Sequence, residues 1–344
     1  MAYILGGRPV DRVLAGNTLM NPGNTTTTDL GNTSVIEAIL FRIYGTLTNA
    51  SYTTAPTKAV ESIENLVSSF RNVTTRKVDG GQAGTLINVD AADLAYTTRI
   101  GHKTAPKRID VGTANAAYAF ESNFKHKYGL ERSNIYSSTF LDSRNLSSNV
   151  LQTTWRTVAD LFTSPGVAGT STLTNTGLGV TLRTWEGCPK AGLWAPMKLR
   201  TQRRYNVAQS GDNVPFNDVP LDGVLIRQTF KGTVGPNDHT DPSDALFASA
   251  NKAEGAHLQL LTKNYLESAG DTLYAQMQAD DKDRYTLESV PTGYATAEYS
   301  RTGDYRDAVD LRDGRRAKNV LDLTYTGGST NTLCISDERV VFQK

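Results

Sequence analysis

One apolar pattern occurs twice in the 344-residue chain, more than half its length apart. It reads VIEAILFRIYGTLTN at residues 35–49 and GVLIRQTFKGTVG at residues 223–235. Each copy passes through one arginine, Arg42 or Arg227, and then reaches a Gly-Thr pair and a polar loop. Short apolar runs rich in β-branched and aromatic residues are typical of buried strands. A chain that repeats such a strand, with a similar order of elements behind it, is expected to hold two copies of one fold.

The segments after the two copies follow the same order. In both, a polar loop and an apolar segment precede a helix that begins with a capping signal. The first helix is predicted at about 90–101, where Asp90 and Asp93 supply the signal. The second is predicted to start at Asn264, with Glu267 three residues later. The Gly-Thr pair of each copy is predicted to mark the bend where that copy leaves its sheet.

The composition favours strands and turns. Threonine, asparagine and glycine are abundant; threonine favours strands, whereas asparagine and glycine favour turns. One further helix is predicted at 151–162, before a Ser-Pro-Gly stop. Its apolar stripe consists of Leu151, Trp155, Val158 and Phe162. The whole pattern indicates an all-β fold class, mainly β with a few short helices, built from two antiparallel sandwiches in tandem.

Three segments are predicted along the chain. Residues 1–32 are rich in turn residues and low in complexity, so they form an N-terminal arm, either extended or partly disordered. The first sandwich spans 33–210 and carries a helix-bearing insertion, and the second spans 211–344. Residues 210–220 hold two prolines and are interpreted as the joint between the sandwiches.

Charge and cysteine content narrow the class of protein. The net charge is +1, which disfavours a surface devoted to nucleic acid. The longest apolar runs fall short of the roughly 18 residues that a membrane span needs, so the chain is predicted to be soluble. Cys188 and Cys334 are too few for a disulfide framework, and we expect both thiols to be free. Five Asn-x-Ser/Thr triplets are interpreted as products of composition and not as glycosylation sites; they lie at Asn24, Asn32, Asn49, Asn72 and Asn145.

Motifs for catalysis are missing from the sequence. It holds no glycine-rich phosphate loop, no HExxH, no CxxC and no GxSxG, and its four histidines are isolated from one another. We therefore assign no catalytic, cofactor-binding or metal-ligating residue and expect no enzyme activity. One weak candidate for a structural cation site is the acidic loop with Asp238, Asp241 and Asp244, because carboxylates on a tight loop suit hard cations. A solvated acidic loop without a cation is the alternative.

Basic residues cluster at 198–204 and at 310–318. Such clusters contact phosphates in proteins that bind nucleic acid. The aspartates interleaved at 310–318 favour ion pairs within or between chains instead. A third basic stretch, the KHK triplet at 125–127, is interpreted as the solvated face of a strand.

Three successive stretches resemble the opening of a known family. They are VIEAILFRIYGTLTN at 35–49, IENLVSSFRNVTTRKVDGG at 63–81 and VDAADLAYTTRIGHKTAP at 89–106. In order, they indicate a buried strand, a second strand with a tight Asp-Gly turn, and a helix that ends near Ala-Pro. This series resembles the double jelly-roll major capsid proteins of icosahedral viruses, the tectivirus and adenovirus-like lineage. The likeness covers about the first third of the chain, and the second copy repeats the order of elements without matching the letters.

The resemblance implies two antiparallel eight-stranded jelly-roll β-sandwiches in tandem. It also implies a homotrimer, a pseudo-hexameric capsomer that tiles an icosahedral shell around the genome. Neighbouring capsomers and penton or minor capsid proteins would be its partners, and an internal membrane or the genome would lie beneath the shell. The arm at 1–32 would be an inner segment linked to assembly. The protein would be made in the host cytoplasm and would end in the virion.

Two other functions stay open at this stage. One is a different structural protein of a virion, such as a minor capsid, spike or tail component. The other is a carbohydrate-binding protein made of two sandwiches, which needs an aromatic groove and paired carboxylates. Trp155, Trp185 and Trp194 supply aromatic rings, and Glu186 supplies one carboxylate. The helical stripe, however, places Trp155 in a core.

Overall fold

The computed structural model shows a chain of antiparallel β-sheets with one α-helix among the described residues. The residues that it describes are 7–14, 18–58, 63–76, 82–102, 113–130, 136–164, 166–188, 196–235, 242–247, 257–260, 263–266, 292–300, 304–312, 317–328 and 330–342. The chain divides into two compact units, one of residues 1–129 with 135–197 and one of residues 130–134 with 198–344. Within the described part of the chain, no helical segment has the length and apolar content to cross a membrane.

The first unit contains two main sheets. Its strands are β1 (Arg8–Val13), β2 (Thr18–Leu19), β3 (Thr25–Asp29), β4 (Val35–Asn49), β5 (Thr57–Lys58), β6 (Val67–Arg76), β7 (Gln82–Val89), β8 (Ala116–Lys127), β9 (Leu141–Asp142), β10 (Leu146–Trp155), β11 (Phe162–Ser164) and β12 (Ser171–Glu186). One sheet has the order β1–β12–β4–β8, with β2 paired to β12 and β9 paired to β4. The other has the order β7–β6–β10–β3, and β5 pairs separately with β11.

An aromatic cluster joins the two sheets of the first unit. Phe41 of β4 stacks on Phe70 of β6, with ring centroids 4.5 Å apart. Phe124 of β8 lies 5.5 Å from Phe41, centroid to centroid. All three side chains are buried. Because Phe70 belongs to the opposite sheet, these rings form the centre of a β-sandwich core.

The helix predicted at 90–101 is present as α1, Ala91–His102. Asp90 precedes its first turn, and its carboxylate accepts a hydrogen bond of 2.7 Å from the backbone N–H of Asp93. This bond satisfies one of the donors that a helix N-terminus leaves free. The capping signal in the sequence therefore predicted both the helix and its start.

A short helical turn leads into β6. It is a 3₁₀ turn at Glu64–Leu66, followed directly by β6. Arg99 of α1 forms a buried ion pair with Glu64. The Ser122 hydroxyl of β8 donates a hydrogen bond of 2.6 Å to the same carboxylate. These two contacts fix the helix, the turn and β8 to one another.

The second unit also holds two sheets. Its strands are β13 (Met197–Asn206), β14 (Gly211–Phe216), β15 (Val224–Gly235), β16 (His257–Leu260), β17 (Lys263–Leu266), β18 (Tyr294–Glu298), β19 (Val309–Asp310), β20 (Ala317–Leu323) and β21 (Thr330–Val341). One sheet has the order β18–β15–β21–β13, with β19 paired to β15, and the other has the order β14–β20–β16–β17. Their common core contains Phe230 and Ile335 from the first of these sheets and Phe216 and Leu321 from the second.

The prediction of a helix at 151–162 is wrong. Leu151 and Trp155 lie in β10, and only a 3₁₀ turn, Val158–Leu161, follows that strand. Residues four apart share a face in a strand as well as in a helix, so their spacing did not decide between the two. Thr153, midway between them, is buried too. Burial of every second residue is the period of a strand.

The prediction that a second helix starts at Asn264 is also wrong. Asn264, its expected N-cap, lies in β17, which pairs with β16 in a hairpin. The backbone groups of this segment are therefore used by a neighbouring strand. The rest of the expected helix, with Ala269, Leu273 and Met277, lies outside the described residues.

The segment 1–32, predicted as an arm, contributes three strands to the first unit. β1 pairs with β12 over six residues, and β3 pairs with β10 over five. Leu30, which follows β3, is 1% exposed. The described part of this segment is therefore ordered sheet and not a disordered tail.

The division into units differs from the boundary predicted near residue 210. The first unit extends to Met197, so β13 belongs to the second unit and not to the first. Residues 210–220, predicted as the joint, include β14, which pairs with β20. The two prolines of this segment did not mark a linker; Pro215 lies inside β14.

Candidate assembly surfaces

The two repeated apolar runs have equivalent neighbours in their sheets. β4 lies between β12, the last long strand of the first unit, and β8. β15 lies between β21, the last strand of the second unit, and β18. In each unit, then, the strand that carries the repeated run, which we call the opening strand, pairs with the last long strand of that unit, which we call the closing strand. The duplication inferred from the sequence appears as two equivalent three-stranded pieces, β12–β4–β8 and β21–β15–β18.

The Gly-Thr pair of each run lies inside its strand, so the prediction that it bends out of the sheet is wrong. Gly45 lies within β4, and Gly232 lies within β15. Opposite Gly45, β12 carries a bulge at 174–177. A Cβ built at Gly45 would lie 2.7 Å from Cζ of Phe120 and 3.0 Å from Cα of Thr176. The bulge and the ring together leave no room for a side chain.

Gly232 meets the same constraint in the second unit. A Cβ built there would lie 2.6 Å from Cε2 of Phe247 and 3.1 Å from Cβ of Leu246. Both residues belong to the 3₁₀ turn Asp244–Phe247, which packs against β15. Each copy therefore needs a glycine where an aromatic ring crosses its opening strand.

The outer face of β15, opposite the core, is polar but buried. The residues that alternate along it are Arg227, Thr229, Lys231 and Thr233, each 7% exposed or less. Their cross-strand neighbours on β18 and β21 include Thr296, Ser336 and Glu338, which are buried as well. The second unit thus has this face covered within a single chain.

Glu338 is the centre of an ion cluster on this buried face. Its carboxylate lies 2.5 Å from Nζ of Lys198, 2.5 Å from Nη2 of Arg227 and 4.0 Å from Nη1 of Arg200. Arg227 also lies 3.5 Å from Glu298 across the sheet. Burial raises the pKa of the Glu338 carboxyl, but the three cations more than offset this, so its pKa lies well below the usual range.

Most basic side chains of the cluster at 198–204 form ion pairs with carboxylates of the same chain. Lys198 and Arg200 bind Glu338, as described above. Arg203 binds Asp337, Nε to Oδ2 at 2.8 Å, and Asp218, Nη1 to Oδ1 at 2.9 Å. Three of the four basic side chains of the cluster therefore have carboxylate partners in the same unit, which disfavours the phosphate-binding interpretation.

A polar network inside the second unit was not signalled by the sequence. Gln228 donates to Asp337 at 2.6 Å, and Asn319 of the opposite sheet donates to Gln228 at 2.8 Å. Tyr299 donates to the same Gln228 oxygen at 2.7 Å, and Arg203 pairs with Asp337. Alternation along β21 places Asp337 on the inner face, but the sequence alone does not show which polar residues meet it.

The outer face of β4 in the first unit is exposed, unlike its equivalent on β15. Arg42 pairs with Glu121 of β8 at 2.7 Å, and their side chains are 55% and 42% exposed. Beside this pair the face carries small uncharged residues. They are Thr46 and Thr48 on β4, Ala117 and Ala119 on β8, and Thr172 and Thr174 on β12. All of them except the half-buried Thr46 are exposed.

The residues considered for a carbohydrate groove do not come together. Trp155 is buried in the core, as predicted from its apolar stripe. Trp185 packs on Phe140, and Glu186 beside it pairs with Arg8 at 3.1 Å. Trp194 lies outside the described residues. Trp185 and Glu186 line one cavity together with Asp11, but Asp11 pairs with Arg183 and Glu186 with Arg8, so both carboxylates there are already in ion pairs.

The acidic loop considered for a cation lies mostly outside the described residues. Asp238 and Asp241 are among the residues not described, and Asp244 begins the 3₁₀ turn beside Gly232. Among the described residues, no group of three or more His, Cys, Asp or Glu side chains is placed to hold a metal ion. The cation site stays a prediction.

Two further interpretations concern cysteines and asparagines. Cys188 and Cys334 are buried and free, as predicted. Asn49 and Asn72, two of the five Asn-x-Ser/Thr positions, are 2% and 0% exposed. A glycan cannot be attached to a buried side chain of the folded protein, which agrees with the compositional interpretation for these two triplets.

The remaining charged stretches lie in sheets or turns. In the KHK triplet, His126 is 2% exposed and packs edge-on against Tyr128, so the interpretation of a solvated face is wrong for this residue. In the stretch 310–318, Arg312 pairs with Asp310 at 2.5 Å, as its interleaved charges indicated. Residues 313–316 lie outside the described part.

Comparison with known proteins identifies the fold. No family model and no curated protein matches the sequence. The major capsid protein of Sulfolobus turreted icosahedral virus matches with a TM-score of 0.69 and 12% identity, over 97% of this chain and 97% of that chain. Major capsid protein P2 of bacteriophage PM2 matches with a TM-score of 0.57 and 11% identity, over 98% of each chain. The Faustovirus major capsid protein matches with a TM-score of 0.55 and 6% identity, over 98% of this chain and 90% of that chain.

At such low identities these similarities show a shared fold. The chain has the double jelly-roll fold of these capsid proteins, with two antiparallel β-sandwiches in tandem. This confirms the all-β fold class that the repeated strand predicted. The matches cover 97–98% of the chain, so the shared fold takes in both units and the N-terminal strands.

Proposed function

We propose that this protein is the major capsid protein of an icosahedral virus. It trimerises into a pseudo-hexameric capsomer, and these capsomers tile the shell that encloses the genome. The protein is a structural component of the virion and not an enzyme. The observation that carries this proposal is the similarity of fold, over 97–98% of the chain, to capsid proteins of an archaeal turreted virus, a bacteriophage and Faustovirus.

The duplication within the chain supports this role on physical grounds. Three chains with two equivalent units each present six similar units around a three-fold axis. Such a trimer fits a lattice position that has six neighbours, although its true symmetry is three-fold.

The proposed role carries proposed partners. Each capsomer contacts neighbouring capsomers in the shell. Penton or minor capsid proteins are its other protein partners. An internal membrane or the genome lies beneath. The protein is made in the host cytoplasm and becomes part of the virion.

Size-exclusion chromatography with light scattering tests the proposal. We expect a stable particle of three chain masses, and pseudo-hexagonal particles in negative-stain micrographs of the same sample. A chain that stays monomeric at every concentration and forms no particles contradicts the proposal. Glycan binding by such a monomer would favour the carbohydrate-binding alternative instead.

A further inference from the structure

We propose that a cavity beside β1, at the end of the sheet β1–β12–β4–β8, binds a small hydroxylated organic acid, the class that includes the sugar acids. We call it the edge cavity. Its volume is about 390 Å³, which lies within the range of small-molecule sites. Its walls come from β1, from residues 33 and 34 before β4, from the 3₁₀ turn Ser143–Asn145 and from the end of β12. This inference concerns ligand binding alone and goes beyond the proposed function.

The edge cavity holds one positive charge that no described residue neutralises. Arg12 lines the cavity, and its guanidinium forms no ion pair or hydrogen bond with any other described residue. The other three ionised side chains that line the cavity are all paired. The pairs are Asp11–Arg183 at 2.9 Å, Glu186–Arg8 at 3.1 Å and Arg144–Asp142 at 2.7 Å. Together with Arg12, these groups comprise four cations and three anions, so the cavity favours an anionic ligand.

Hydrogen-bond donors for an acid group lie on one side of the edge cavity. A Cβ built at Gly31 would lie 3.9 Å from Nη1 of Arg12, so the guanidinium lies beside the turn that leads to Thr33 and Ser34. The hydroxyls of Thr33 and Ser34 line the cavity. Ser34 is held in place because its carbonyl accepts a hydrogen bond of 2.7 Å from the hydroxyl of Ser143. A guanidinium fork matches the two oxygens of a carboxylate, and the hydroxyls add further donors.

The other side of the edge cavity suits the hydroxyl groups and carbon skeleton of such a ligand. Asp11 and Glu186 each bind one arginine, and their carboxylates keep lone pairs that accept hydrogen bonds from ligand hydroxyls. The half-buried ring of Trp185 supplies an aromatic wall. Its indole N–H donates to Glu37 at 2.7 Å, which fixes the orientation of the ring. This side therefore complements a hydroxylated body and not a bare ion.

Only a ligand with both features uses the whole edge cavity. Acetate or inorganic phosphate would bind Arg12 but would leave the aromatic wall and the two carboxylates without contacts. A neutral sugar would contact the wall and the carboxylates but would leave the charge of Arg12 uncompensated. A ligand with an ammonium group is disfavoured by the excess of cations. The combination of groups therefore selects an organic acid that also carries hydroxyls.

Saturation-transfer NMR titrations of the full chain with three small molecules test this selectivity. The probes are D-glucuronate, D-glucose, which lacks the acid, and acetate, which lacks the hydroxyls and the ring. We expect glucuronate to bind with a dissociation constant of about 1 mM and the other two to bind at least about tenfold more weakly. Glucuronate that does not bind overturns the inference. Equal binding of acetate would show an adventitious ion only, and equal binding of glucose would show a site without a role for the charge; each result also overturns it.

Substitution of Arg12 locates the site. Arg12→Gln removes the charge and the fork, and we expect it to weaken glucuronate binding about tenfold or more. The side chains of β1 are almost all exposed, so the melting temperature should stay that of the wild type. Arg71→Gln changes an exposed arginine of β6 outside the cavity and should leave binding unchanged. An Arg12→Gln variant that binds glucuronate as the wild type does overturns the inference. If that variant does not fold, the comparison of the three probes on the wild type decides.

Discussion

Gly45 and Gly232 are the residues whose lack of a side chain the two opening strands require. In each case a Cβ would collide with an aromatic ring, that of Phe120 or that of Phe247. We expect Gly45→Ala to lower the free energy of unfolding by about 1–3 kcal/mol, because overpacking forces the ring and the opposite bulge to shift. Chemical denaturation measures this change. Gly327→Ala is the control, with no atom within 4 Å of its Cβ and an expected change within about 0.5 kcal/mol.

Glu338 supports a prediction about charge and pH. Glu338→Gln leaves Lys198, Arg200 and Arg227 without their shared anion, and we expect a loss of about 3–5 kcal/mol in unfolding free energy at pH 7. The pKa of this carboxyl is lower in the folded than in the unfolded chain, where it is about 4.3. Its contribution is therefore present above that pH and is lost as the pH falls through the folded-state pKa.

Melting temperatures of wild type and Glu338→Gln at pH 7 and pH 3 measure this dependence. The difference between the two proteins should narrow as the pH falls, because the wild-type carboxylate gives up its ionic contribution. Glu186→Gln, in an exposed pair with Arg8, is the control and should cost less than about 1 kcal/mol. A pH-independent difference would show that the carboxylate stabilises the fold by packing alone.

At the scale of elements, the N-terminal strands β1 and β3 differ in how much of their surface is buried in the first unit. The side chains of β1 are almost all exposed. By contrast, Leu30 behind β3 is buried, and Thr26 of β3 accepts a hydrogen bond of 2.9 Å from the indole N–H of Trp155. Deleting residues 1–14 should therefore lower the melting temperature only slightly. Deleting residues 1–30 should lower it much more, since burial of a leucine alone contributes about 1.5–3 kcal/mol.

Differential scanning calorimetry of the two truncated chains compares these effects directly. The shorter deletion serves as the control for loss of an edge strand. If both deletions have the same small effect, β3 is dispensable and the segment 1–32 behaves as the extended or partly disordered arm predicted from its sequence.

Elements with one clear signal could be predicted from the sequence, and elements with an ambiguous one could not. The run at 35–49 and β4 have identical bounds, and α1 begins one residue after its capping aspartate. The spacing of Leu151 and Trp155 led to the wrong prediction of a helix, because a spacing of four residues fits both a helix and a strand. The paired threonines between them, which favour strands, were the signal that could have decided correctly.

At the scale of the whole molecule, the repeated strand predicted two units but not their different surroundings. Arg42 and Arg227 occupy similar positions in similar runs, but the first is exposed beside Glu121 and the second is buried beside Glu338. That difference depends on partners that are distant in the chain. Which distant strands pair with one another cannot be predicted from a single sequence. For the same reason, the different exposure of these two arginines could be recognised only from the structure.

The order in which a ribosome makes the chain gives the pairing of opening and closing strands a consequence in time. β15 is synthesised well before β21, its partner along Val224–Gly235, and until then one of its edges has no neighbour. A product that stops before Thr330 keeps that edge bare, and bare apolar edges promote aggregation and degradation. Chains that end before β21 should therefore aggregate or be degraded more readily than complete chains, because the second unit stays open along one edge of β15.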